Sequence, residues 1–146
     1  KFKSLQIWRP FNLVNPNHLK YSDHFHSLLY QIMFIQKKST HKFNGNKYDT
    51  RGYSDIDDFS KVLLKNAFLE KSFIKDYGNL NVITIDEIIK IYKKYFYVKF
   101  KKVFNPTFVS KKMNKNIIKK KSRNNVYSKR NSRSIIRKYL LTRLYG

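Results

Sequence analysis

The chain has 146 residues, with 32 Lys or Arg against 9 Asp or Glu and a formal net charge of +23. That length bounds a single domain with a modest core, and the lack of cysteine excludes disulfides, thiolate metal ligands and a cysteine nucleophile. The longest apolar run, Leu28 to Ile35, is broken by Gln31 and is too short for a bilayer, so no transmembrane segment is expected.

Lys, Asn, Ile, Phe and Tyr fill 76 of the positions, as an AT-rich coding sequence would produce. Codon bias explains Lys over Arg but not the placement of charge. The last carboxylate is Glu87, and the 59 residues after it hold nineteen Lys or Arg and no acid. A segment of that kind repels itself unless a polyanion supplies the missing charge. Lys1 is not an initiating methionine, and Phe2, Lys3 and Ser4 show no secretory apolar core. A removed leader and absent first residues both fit that start.

From the amino end, Pro10 and Pro16 bias Lys1 to Tyr21 toward an extended arm, with Trp8 beside Arg9 as its most conspicuous pair. Ser22 then caps an amphipathic helix on which Phe25, Leu28, Leu29, Ile32 and Met33 share a face, ending near Lys37 and Lys38. Residues Ser39 to Tyr53 lack periodicity and read as a loop. A second helix starts at Ser54 or Asp55, carries Asp57 and Asp58 in its first turn, and runs through Phe59, Val62, Leu63, Ala67, Phe73, Ile74 and Tyr77 to Gly78. Thr84-Ile85-Asp86-Glu87 is a capping box opening a third helix, with Ile85, Ile88, Ile89, Tyr92 and Phe96 on one face.

Tyr97 to Lys101 alternates briefly, as either a short strand or a frayed helix end, and Pro106 closes that element. Ser110 to Asn131 is almost wholly Lys, Arg, Asn and Ser and cannot form a core. Ser132 to Gly146 returns to helical spacing through Ile135, Ile136, Tyr139, Leu140 and Leu144. These elements predict a mainly α protein: an arm over 1–21, a small helical body over 22–104, and a basic extension over 105–146 ending in a helix.

The chemistry on offer is cationic. Neutralising about ten phosphates with the tail would give a log–log salt slope of about −7 on single strands and −9 on duplex. Spaced aromatics among the cations favour unpaired bases, and hence RNA. The expected RNA-binding set is Lys1, Lys3, Trp8, Arg9, Lys111, Lys112, Lys115, Lys119, Lys120, Lys121, Arg123, Tyr127, Lys129, Arg130, Arg133, Arg137, Lys138 and Arg143.

Catalytic and metal sites are not expected. His24 and His26 stand at i and i+2, about 200° apart on a helix, and His18 and His41 have no carboxylate or second His at ligand spacing. Asp55, Asp57 and Asp58, like Asp86 and Glu87, sit where a helix amino end attracts acids. Gly45-Asn46-Lys47 and Arg51-Gly52-Tyr53 lack the glycine spacing of a phosphate loop or dinucleotide fingerprint, and no cofactor is read from the chain.

A helical body with a basic arm and tail, little catalytic inventory and AT-rich composition resembles an organelle ribosomal protein, mitochondrial in type. RNP1, a KH GXXG loop and a zinc ribbon are all absent. The resemblance implies a non-enzymatic structural component of the mitochondrial matrix, with ribosomal RNA and neighbouring ribosomal proteins as partners and no small-molecule substrate. An accessory subunit of a mitochondrial membrane complex is the alternative, with the tail meeting lipid or protein.

Overall fold

The computed structural model describes residues 3–15, 39–43, 45–109 and 125–145. The expected helix after Ser22 and the lysine run from Lys111 to Arg123 lie outside them. The amino-terminal stretch gives β1 (Gln6–Pro10) and β2 (Leu13–Val14), followed by β3 (Thr40–Phe43), β4 (Thr50–Arg51) and β5 (Ser54–Asp55). Helix α1 (Ile56–Asn66) leads to β6 (Phe73–Gly78) and β7 (Ile83–Thr84), and then to α2 (Ile85–Phe100). The chain continues with β8 (Asn105–Phe108), β9 (Asn125–Tyr127) and α3 (Ser132–Tyr145).

The fold is mixed α/β, which corrects the mainly α expectation. A three-stranded sheet runs in the order β1-β6-β9, with both pairings parallel. Strands β2 and β5 pair in parallel, as do β3 and β8, while β4 and β7 are antiparallel. The helical reading failed at β6 because Phe73, Ile74 and Tyr77 satisfy both periods. In the sheet, Phe73 and Tyr77 share a face on which Trp8 meets Phe73 at 5.2 Å and Phe59 of α1 at 6.1 Å, and Phe59 meets Tyr77 at 4.8 Å. Packing three sheet rings together with Phe59 of one helix outweighs local helix preference. The expected loop after Ser39 likewise contains β3, whose partner β8 includes Pro106 opposite His41.

Helices α2 and α3 form the main core with the short strands. Ile85, Ile88, Ile89, Tyr92 and Phe96 of α2 pack with Ile135, Ile136, Tyr139, Leu140 and Leu144 of α3, and Phe43 and Phe104 close the cluster. The capping box at Thr84 and Glu87 is present as read from the sequence, and α2 runs to Phe100 before Lys101 turns left-handed at φ 54°. Among the described residues no helix is long and apolar enough to cross a membrane.

Candidate functional site

Because β1, β6 and β9 are parallel, their carboxyl ends lie on one side, the side on which open α/β sheets hold ligands. Phe11 ends β1 by donating its N–H to the Tyr77 carbonyl at 2.8 Å. Asn12 then takes φ 47°, a left-handed turn that asparagine tolerates. Its side-chain amide donates to the Gly52 carbonyl at 3.1 Å, and its own carbonyl accepts the Ser54 N–H at 3.1 Å. The loop between β4 and β5 is thereby fixed to the end of β1.

The same loop is held from beneath. A Cβ on Gly52 would stand 2.1 Å from the Asn79 carbonyl oxygen, so only glycine permits this approach. Asn79, 1% exposed, donates to the Tyr53 and Arg130 carbonyls at 2.7 Å each and accepts the Asn81 N–H at 2.9 Å. Tyr53 in turn donates its N–H to the Ser132 Oγ at 2.9 Å. Asn12, Gly52, Asn79 and Ser132 thus bind four chain segments into one rigid platform.

Arg51 stands on that platform. It is half-buried, donates to the Thr50 carbonyl at 2.9 Å, and pairs with no carboxylate among the described residues. A guanidinium carries five donors in a planar fork, so most of its capacity remains for an anion. Burial pushes the adjacent Tyr53 phenol up to about 12, with the Arg51 charge acting against that rise.

Arg51 pairs with Ile83 across β4 and β7, and Ile83 borders a groove of about 390 Å³ between the start of α2 and α3. Arg133 bridges this groove to Glu87, and Arg137 donates to the Tyr95 hydroxyl at 2.6 Å. The Thr84 backbone N–H, aided by Arg133, holds the Glu87 carboxyl below its usual range. Tyr53, Tyr77 and Tyr92 are raised, Glu87 is lowered and Lys90 is raised, so each of these groups moves away from neutrality. No group of three His, Cys, Asp or Glu able to hold a metal occurs among the described residues.

The expected cationic set is dispersed. Lys3 reaches Glu70 at 3.5 Å, Arg9 reaches Asp76 at 2.6 Å, and Trp8 is packed under α1. Arg130 bonds Asp55 at 2.7 Å and Asp58 at 3.2 Å, with Lys138 at 3.9 Å from Asp55 and 4.0 Å from Asp57. Tyr127 lies in β9 and accepts from the Asn125 amide at 3.2 Å, and Lys129 is exposed. Arg143 belongs to α3, while Lys1, Lys111, Lys112, Lys115, Lys119, Lys120, Lys121 and Arg123 lie outside the described residues. Sequence reading passed over Asn12 and Asn79, and took Arg51 only as part of a failed phosphate loop. Their juxtaposition comes from pairing across the whole chain and leaves no local spacing signal.

No protein-family model matches this chain, and no curated protein matches it either. Solved structures do. ADP-L-glycero-D-manno-heptose-6-epimerase of Helicobacter pylori superposes with a TM-score of 0.68 at 18% identity, over 97% of this chain and 44% of its own. MoeE5 in complex with UDP-glucose and NAD gives 0.61 at 10% identity, over 95% and 46%. The dTDP-glucose 4,6-dehydratase of Bacillus anthracis in complex with NAD gives 0.59 at 10% identity, over 94% and 43%.

What is shared is the fold. The chain spans less than half the length of each of these structures. The likeness overturns the ribosomal resemblance and the non-enzymatic, rRNA-binding reading drawn from it, because the proteins sharing the fold are enzymes of sugar nucleotides. The expectation of no small-molecule substrate falls with it, and the membrane-complex alternative finds no support.

Proposed function

We propose that this chain forms the sugar-nucleotide-holding part of an enzyme of the epimerase and dehydratase kind. The reading is carried by the superposition on the Helicobacter pylori epimerase along nearly the whole chain. It is supported by a half-buried guanidinium, paired with no carboxylate among the described residues, next to the loop that Asn12 ties to the carboxyl end of β1. Arg51 is the diphosphate ligand: its fork gives two parallel charge-assisted hydrogen bonds to a phosphate. Asn12, exposed and locked in its turn, is tied through its amide to the carbonyl of Gly52, the residue after Arg51, and keeps its side-chain oxygen for a hydroxyl donor. Gly52, Asn79 and Ser132 act through rigidity, holding Arg51 and Asn12 at fixed separation before the ligand arrives.

The described residues do not fit a dinucleotide. A pyrophosphate takes the free amides at a helix amino end, yet at α2 the Ile85, Asp86 and Glu87 N–H groups go to the Asp49 carbonyl, the Lys47 carbonyl and the Thr84 hydroxyl, and at α1 the side chain of the capping Asp55 takes one. Asp55 accepts the Asp57 N–H at 2.8 Å, and Glu87 completes the box with Thr84. No step is therefore assigned through NAD on these residues; the chain's contribution is to bind and orient the sugar nucleotide.

Calorimetric titration with UDP-glucose tests the reading. Arg51→Ala should weaken binding by about 10- to 100-fold, the loss of a charged hydrogen-bonding group worth about 1.5–3 kcal/mol. Arg137→Ala should leave it unchanged. Equal binding by the Arg51 variant, or no binding by the native chain, would refute the assignment.

A further inference from the structure

The carboxyl end of α1 carries an apolar surface. Leu64 is 68% exposed, Phe68, one turn on, 91%, and Leu69 beside it 49%. Single apolar side chains on a surface are ordinary, but three within six residues make a patch. The turn that presents them is tightly tied. The Gln6 side-chain amide donates to the Asn66 and Leu69 carbonyls at 2.8 and 3.0 Å, and the Leu5 N–H donates to the Ser72 Oγ at 3.0 Å. The Ala67, Leu69 and Lys71 N–H groups donate to the Leu64, Asn66 and Leu69 carbonyls. A fixed turn thus holds a phenyl ring out in water, ready for an outside surface at little ordering cost.

Lysines frame the patch. Lys61, Leu64, Lys65 and Phe68 follow the i, i+3, i+4, i+7 spacing of one helix face carried on into the turn, and all four are exposed. Lys71 follows on the far side. The one acid between Lys61 and Lys71 is Glu70, which Lys3 reaches at 3.5 Å. A second copy of the chain would bring like charges together here, and the centres of protein interfaces are poor in lysine. An anionic lipid surface accepts both features: apolar side chains enter the acyl boundary while lysines beside them stay among the headgroups.

We infer that the carboxyl end of α1 is a contact for anionic lipid headgroups, with Leu64, Phe68 and Leu69 entering the bilayer interface and Lys61, Lys65 and Lys71 among the phosphates. The contact needs no membrane-spanning segment and none of the basic tail. It also orients the molecule. Gln6 and Phe73 open β1 and β6 beside this turn, whereas Phe11 and Tyr77 mark the opposite ends of those strands, next to Asn12. A docked chain therefore turns the candidate site toward water. The contact shares no residue with the sugar-nucleotide reading and stands without it.

Vesicle flotation tests this. Phosphatidylcholine vesicles with about a quarter phosphatidylserine should carry the purified chain upward. Leu64→Ser together with Phe68→Ser should weaken that binding at least tenfold and leave the thermal midpoint unchanged, since both side chains are exposed. Tyr97→Ser, which removes a 55% exposed ring from the lysine-rich helix α2, should leave the binding unchanged. Because the chain has no cysteine, Leu69→Cys takes a single nitrobenzoxadiazole dye, whose emission should brighten and shift to the blue on these vesicles. Equal flotation by the double variant, or an equal loss in Tyr97→Ser, would mean that charge spread over the whole chain holds it to the vesicles and would overturn the inference. A dye that stays in water on the vesicles would overturn it too, and brightening with soluble polyglutamate instead would assign the patch to an acidic polypeptide.

Discussion

At Gly52 one hydrogen atom decides whether the platform closes. The residue is not in a left-handed conformation; what excludes a side chain is the Asn79 carbonyl oxygen, 2.1 Å from any Cβ. Because that obstacle is backbone, Gly52→Ala should destabilise the fold by about 2–3 kcal/mol, the upper range for overpacking. Urea unfolding would register it as a lower midpoint, and an unchanged midpoint would place the loop elsewhere. Tyr53 gives a second test. Its phenol lies near 10 in the unfolded chain and at about 12 in the fold. The native state therefore binds the extra proton between those values, and stability present below pH 10 falls as pH rises toward 12. Tyr53→Phe should flatten part of that decline, and Tyr92, raised to about 12 by burial, should account for more of it.

At the scale of elements, the clasp between β9, α3 and the start of α1 holds the tail to the body. Asp55 is 4% exposed, and Arg130 is its nearer cation at 2.7 Å, with Lys138 more distant at 3.9 Å. Arg130→Ala leaves a buried carboxylate underpartnered and should cost about 2 kcal/mol. An equal chemical-unfolding midpoint would show the clasp to be incidental. The elements legible from the sequence were those whose signals are local: the capping box of α2, the Asp55 cap of α1, and the apolar spacing of α3. Those that escaped depend on distant partners. β6 was absorbed into a helix because its apolar positions fit both periods, and β3 through β5 are too short to display alternation. The candidate site was less legible than the fold, since Asn12 and Asn79 reach the Gly52–Tyr53 loop beside Arg51 only after the strands have paired.

For the whole molecule, the charge argument went wrong in an instructive way. The carboxylate-free half was expected to need phosphate. Among the described residues, however, three of its cations toward the carboxyl end find acids in the first half: Arg130 takes Asp55 and Asp58, Arg133 takes Glu87, and Lys138 lies near Asp55 and Asp57. At these three residues, segregation along the sequence becomes pairing in space, and the parallel pairing of β6 with β9 brings that part of the chain against the first half. Arg51 stands apart from that matching, and the functional account rests on it. The most direct test is to add UDP-glucose to isotopically labelled chain and map the amide shifts by NMR. The account predicts that they cluster at Asn12, Arg51, Gly52 and Asn79. Shifts centred on Lys90, Lys94 and Arg137, or none at all, would contradict it.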